Sequence, residues 1–203
     1  MDFEKKSFGF LASLILFLKR ALLLVLYPYK TMRRISRERD TTQLWIIFFF
    51  VFSYFLIADK VRLSADLFPL HFIVTMINFI FTVYFFYFLA RLFSRETSLM
   101  PFIFTLGYSL IPTLIWFFTN LILFVLLPPP RTWSLPGTLF SVIYIIFSIS
   151  LLFWKLILVY LGIRFSSKLS ALRIVYYLAL YLCIFLPYSF FLYLMALFRI
   201  PFI

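Results

Sequence analysis

Seven carboxylates, one histidine and one cysteine are the whole stock of ordinary acid, base and thiol side chains in this 203-residue sequence. Asp2, Glu4, Glu38, Asp40, Asp59, Asp66 and Glu96 all fall in polar connectors or at the ends of apolar runs. No two of them share an enclosed site in which differing environments would split them into an acid and a base. A metal site needs several His, Cys, Asp or Glu ligands at short spacing, and His71 and Cys183 lie far apart in the chain. There is no glycine-rich phosphate loop, no Gly-x-Ser-x-Gly and no His-Glu-x-x-His. The residues therefore imply no enzyme, no catalytic residue, no metal and no cofactor. His71 lies near Asp66, which allows a pH-sensitive pair, but its commoner role at such a place is that of an interfacial residue.

Lys155 has the most chemical promise. It lies inside the apolar run from 138 to 163, about eight residues or roughly 12 Å from the inner end. A charged ammonium at that depth needs a partner or a route to the surface. One reading is a side chain that snorkels toward the headgroups along a stem of about 6 Å. The other turns Lys155 into a bundle interior, where Asn78, Asn120, Tyr108 or backbone carbonyls solvate it and form a crevice for an anionic headgroup or substrate. Trp154 and Tyr160 beside it read as interface and packing residues.

The elements that would hold these residues follow from composition. The sequence is 65% hydrophobic, 24% aromatic and only 13% charged, with a mean hydropathy of +1.08, which excludes a soluble domain. The fold class is all-α: a polytopic membrane bundle of five transmembrane helices preceded by an amphipathic in-plane helix. Spans are expected at about 44–58, 68–89, 106–127, 138–163 and 172–198, forming one domain over 41–203 behind a cytoplasmic segment, 1–40. The central stretch is 106–127, free of charge and about 33 Å long at 1.5 Å per residue. Pro112 within it leaves a carbonyl near Tyr108 without its helical donor, so that end should be buried against protein. The run 44–58 is short for a span. Four glycines in all leave glycine-mediated helix packing a minor device.

Residues 7–27 are apolar but interrupted by Lys19 and Arg20, each costly at a bilayer centre. At 100° per residue Lys5, Lys6, Gly9, Ala12, Ser13, Lys19 and Arg20 share an arc of roughly 140°. That pattern predicts a helix in the interface with its bases toward anionic headgroups; a signal anchor is the alternative. Pro28 ends it, and Lys30, Arg33, Arg34, Arg37 and Arg39 follow as an inside marker, with a lipid-headgroup site as the further reading. Counting bases by side gives fourteen inside and four outside when the amino terminus is cytoplasmic, so the carboxyl terminus is expected outside. The net charge of +12 thus belongs to membrane orientation and does not imply nucleic acid.

The runs LGYSLIPTLIWFF at 106–118 and FWKLILVYLGIRFSSKLSALRIVYY at 153–177, with PYKTMRRIS at 28–36, resemble the Yip domain family of small five-span membrane proteins. Gly107, Tyr108, Pro112, Trp154, Gly162, Arg164, Ser170 and Ala171 match its pattern. The resemblance covers about residues 25–195. The long cytosolic amino-terminal region and the Asp-Leu-Tyr-Gly-Pro element of eukaryotic members are absent, so Rab binding and Golgi residence are not carried over. The likeness is to prokaryotic members, which implies residence in a plasma (inner) membrane and no assigned reaction.

Three function classes follow. The first is a non-enzymatic membrane-organising or adaptor protein with an anionic-lipid crevice. The second is a small transporter, channel or lipid-moving protein using the same crevice. An enzyme is the third. The partners implied are membrane lipids, anionic headgroups among them, and other membrane proteins or further copies of the chain.

Overall fold

A computed structural model describes residues 2–62, 68–93, 97–127 and 135–195. Among them the regular structure is entirely helical: α1 (Asp2–Leu26), α2 (Pro28–Ile35), α3 (Thr42–Arg62), α4 (Phe68–Phe93), α5 (Leu99–Tyr108), α6 (Ile111–Leu126), α7 (Leu135–Ser167) and α8 (Ala171–Leu194). Five stretches are long and apolar enough to cross a membrane: Thr42–Val61, Pro69–Phe93, Leu99–Leu126, Pro136–Ser167 and Ala171–Leu194. This is an integral membrane architecture. The outward faces of α4, α7 and α8 carry Ile, Leu, Val, Phe and Tyr side chains that are largely exposed, as lipid-facing helix surfaces require.

The helices extend beyond the apolar runs of the sequence reading for one reason, α4 to Phe93 among them. Counting an apolar run stops at the first polar residue, whereas a helix continues through it. The short run 44–58 is the middle of a 21-residue helix that takes in Thr42, Gln43 and Asp59. The span expected from 138 to 163 is the 33-residue α7. The central span begins not at Leu106 but at Leu99, behind Ser98 and with Pro101 in its first turn, where a missing N–H does no harm. The last expected span, 172–198, runs past the end of α8; positions 196–198 lie outside the described residues.

The end of the span around Pro112 is buried as expected, but the helix expected to run through it is interrupted. Helix α5 stops at Tyr108 and α6 starts at Ile111, with Pro112 in its first turn. At the step between them the Leu110 N–H bonds the Gly107 carbonyl, three residues back (3.1 Å), and the Ser109 hydroxyl donates to the Leu106 carbonyl (2.6 Å). Residues 104–114 are buried without interruption, so this irregular backbone is shielded by protein.

Around that buried centre lie two apolar clusters. One joins α1, α2 and α3 to α5, α6 and α7, with Tyr54 stacked on Phe117 at 4.1 Å. The other joins α4, α5, α7 and α8 through Phe86, Phe102, Ile163 and Ile174. Helix α5 belongs to both. Helix α1 lies across the start of α3: Ser13 and Arg20, two turns apart, both reach the segment 38–43. Phe17 between them packs on Phe50 and Tyr108.

The two glycines of the family-like motif sit where helices approach closely. A Cβ on Gly162 of α7 would stand 3.2 Å from both Cβ and Oγ1 of Thr105 on α5, and one on Gly107 would stand 2.7 Å from Leu44 Cδ2 on α3. Glycine packing is therefore not a minor device at Gly162, which sets the approach of α5 and α7, whereas a Cβ at Gly107 would meet only the tip of the Leu44 side chain. Beside Gly162, Thr105 and Ser166 share a buried hydroxyl bond of 3.0 Å.

Candidate functional site

Lys155 is carried on the middle of α7, on the face turned toward the α5–α6 break. It forms part of the wall of a cavity of about 300 Å³ between α4, α5, α7 and α8. That volume lies at the lower end of small-ligand sites, roughly 300–1,000 Å³. The walls are mostly aliphatic and aromatic: Phe79, Leu106, Leu152, Val159, Leu178 and Phe185. Polar groups come from Thr75, Asn78, Thr82, Ser109 and Tyr181. On the other side Lys155 borders a hollow of about 20 Å³ with Pro112, Thr113, Trp116 and Ser148, where the buried Thr113 hydroxyl has no hydrogen-bond partner among the described residues. Such a hollow is large enough for a single water.

The hydroxyls of the larger cavity are already committed to the protein. Thr75 and Thr82 donate to carbonyls one turn back, His71 (2.8 Å) and Asn78 (2.7 Å). The Thr82 and Tyr181 hydroxyls lie 2.9 Å apart, and the Tyr188 hydroxyl donates to Asn78 Oδ1 (2.9 Å). With its oxygen taken, the Asn78 amide keeps Nδ2 as its donor side. The wall is thus apolar and hydrogen-bonded, with the Lys155 ammonium as its charged group.

Of the residues expected around Lys155, Asn78 is there and two are not. Asn120 is half-buried and returns its amide to the Trp116 carbonyl of its own helix (3.1 Å), a local bond that competes with any distant partner. Tyr108 points the opposite way, toward α1 and α3, where its hydroxyl donates to Gln43 Oε1. Trp154 and Tyr160 pack beside the apolar clusters as packing residues do. His71 stacks on Phe55 at 6.1 Å and 8°; its expected neighbour Asp66 lies outside the described residues. Arg164 is exposed and stands over the Tyr29 ring at 5.8 Å.

Tyr108 belongs to a polar cluster that sequence reading did not assemble. Gln43 Oε1 accepts from both Tyr108 and Arg20 Nη1 (2.6 Å), while Gln43 Nε2 donates to Asp40 Oδ2 (3.0 Å). The Ser13 hydroxyl donates to the same carboxylate oxygen (2.9 Å), and Arg20 Nη2 pairs with Glu38. Arg20 is only 7% exposed. Its expected place among the headgroup-facing bases is therefore corrected, while Lys19, Arg33 and Arg34 do stay exposed. A helical wheel locates Arg20 on the polar arc; it does not tell a phosphate from a carboxylate brought round by the next turn of chain. Partial burial raises the pKa of Glu38, but the hydrogen bond and charge of Arg20 and the backbone N–H groups of Arg39 and Asp40 outweigh it and hold the carboxyl below its ordinary 4.5. Asp40 is likewise raised by burial and lowered further by Gln43, Ser13 and Thr42, ending below 3.8.

Among the described residues no three His, Cys, Asp or Glu side chains gather where a metal ion would bind. No protein-family model matches the chain, and neither a curated protein nor a solved structure does.

Proposed function

We propose that this chain is a non-enzymatic membrane protein that holds an anionic amphiphile in the cavity beside Lys155. The observation that carries this is the pairing of one ammonium group with an otherwise apolar, internally hydrogen-bonded wall of about 300 Å³. In low-dielectric surroundings a single charge selects its opposite strongly, and the apolar wall favours a hydrocarbon body over a hydrated ion. Lys155→Met keeps side-chain length and removes the charge. Anionic phospholipid retained through purification, counted by native mass spectrometry, is expected to fall several-fold in the variant while zwitterionic lipid is unchanged. Unchanged anionic lipid would leave Lys155 as a snorkelling side chain and favour an adaptor role through α1.

A lipid-moving or transport role for the same cavity is the second reading. It is favoured by the helix break at Ser109–Leu110, which lines the cavity, because interrupted helices in membranes are tolerated where they border protein or a cavity. Pro187 inside α8 adds a second weak point. The resemblance to the Yip domain family is part of the proposal too; the close-contact positions of Gly107 and Gly162 support it, since they give two motif residues a packing role.

The same reading places the chain in a prokaryotic plasma membrane, with the amino terminus cytoplasmic, α1 along the inner interface and the carboxyl terminus outside. The excess of bases on the proposed inner side supports this, as does the position of α1 across the start of α3. Reporter domains fused after Phe93 and Ser167 are expected to read inside, and one fused at the carboxyl terminus outside. A cytoplasmic reading at the carboxyl terminus would overturn the orientation.

A further inference from the structure

The elbow between α1 and α2 contains a second hollow, of about 170 Å³, bordered by Arg20, Leu23, Tyr27, Lys30, Thr31 and Arg34. Its shape comes from Tyr27, whose non-helical backbone (φ −137°, ψ 63°) and following Pro28 turn the chain so that α2 starts against the end of α1. The Thr31 hydroxyl crosses the elbow to the Leu23 carbonyl (3.2 Å) and holds it closed. Lys30 and Arg34, one turn apart on α2, lie on the same face. Lys30 reaches over the Tyr27 ring at 6.0 Å.

Arg20 closes the inner wall. Its two terminal nitrogens are turned to Gln43 and Glu38, and its Nε is buried with no hydrogen-bond partner among the described residues. A buried guanidinium N–H without an acceptor is costly. Three cationic side chains border the hollow, and of these Arg20 is paired with Glu38. The hollow is below the roughly 300 Å³ of drug-sized sites, which limits it to a compact anion.

We propose that this elbow binds a phosphate group, held by Lys30 and Arg34 of α2 with the Arg20 side chain behind them. Both lysine and arginine pair with phosphate in charge-assisted bonds, and a phosphate carries enough charge to engage both side chains of that face. The phosphate is either that of an anionic lipid headgroup or free in solution, and the site is separate from the Lys155 cavity.

The probes are inorganic phosphate and a short-chain phosphatidylglycerol below its micelle-forming concentration, each added to the purified full chain in neutral detergent at constant ionic strength. Thermal midpoints are read in the Lys155→Met background, where the other cavity has lost its charge, with and without Lys30→Gln/Arg34→Gln. Both substituted elbow residues are exposed, so the double variant should fold. At least one probe is expected to stabilise Lys155→Met by mass action, with apparent affinity about tenfold weaker or more once the two elbow substitutions are added. Equal potency of the two probes would assign the site to free phosphate, and greater potency of the lipid would assign it to a headgroup. Absence of stabilisation by either probe, or equal stabilisation of the double variant, would overturn the proposal.

Discussion

Arg20→Met is expected to destabilise the protein by about 2 kcal/mol, less than the loss of one partner from a fully buried ion pair because Glu38 keeps partial contact with solvent. The reason lies in what remains. Glu38 and Gln43 would keep their burial and lose the guanidinium that joins them, and α1 would lose its main polar attachment to α3. Thermal unfolding in detergent measures this, and the double variant Arg20→Met/Glu38→Met separates the causes. It should recover most of the loss, because an apolar pair in place of an ion pair is close to neutral. A single variant as stable as wild type would mean that Arg20 does not fasten α1. The same cluster sets an acid limit. Glu38 and Asp40 have folded pKa values below their ordinary 4.5 and 3.8, so their contribution is complete above those values and is lost as pH falls through the lower folded ones. Attachment of α1 is therefore expected to be insensitive to pH between neutrality and about 5, and to weaken below 4.

Gly162→Leu should be of similar size, for a different reason. The Cβ alone would stand 3.2 Å from two atoms of Thr105, and the rest of a leucine would have to push α5 away from α7. Overpacking typically costs about 1–3 kcal/mol. Losing the adjacent Thr105–Ser166 hydroxyl bond adds about 1 kcal/mol, so a total near 3 kcal/mol is expected. Gly162→Ala tests the mechanism. Alanine gains helix propensity of roughly 1 kcal/mol against a displacement of a few tenths of an ångström, so its thermal midpoint should stay near wild type. If alanine and leucine destabilise equally, the close approach of α5 and α7 is not what Gly162 serves.

The five spans were legible because a membrane helix announces itself by the length of its apolar run, and the burial around Pro112 was legible because proline removes one specific donor; the break at Ser109–Leu110 was not. What could not be read was direction. Tyr108 lies on the same span as the cavity-lining Ser109, one residue away, yet its ring faces α1 and α3, and no periodicity in an all-apolar helix tells one side from the other. Asn120 looked available and is tied to its own backbone. Arg20 looked interfacial because Glu38 stands in a connector that reads as a mere basic marker and Gln43 at the start of α3, just outside the apolar run. Of the crevice, Lys155 and Asn78 were identified from polarity alone. Thr75, Thr82, Ser109 and Tyr181 were passed over, since hydroxyls are common in such helices and give no signal until the helices are brought together.

The cluster around Gln43 also imposes an order on biogenesis. Arg20, Glu38 and Gln43 lie within 23 residues of one another, so they can meet as soon as α3 leaves the ribosome. Tyr108 arrives 65 residues after Gln43, which at about 5–20 residues per second is roughly 3–13 s later. During that interval Gln43 Oε1 can have the arginine and not yet the tyrosine. The Tyr108 hydroxyl is thus the last of these groups to become available, and it joins the cluster only with the third span.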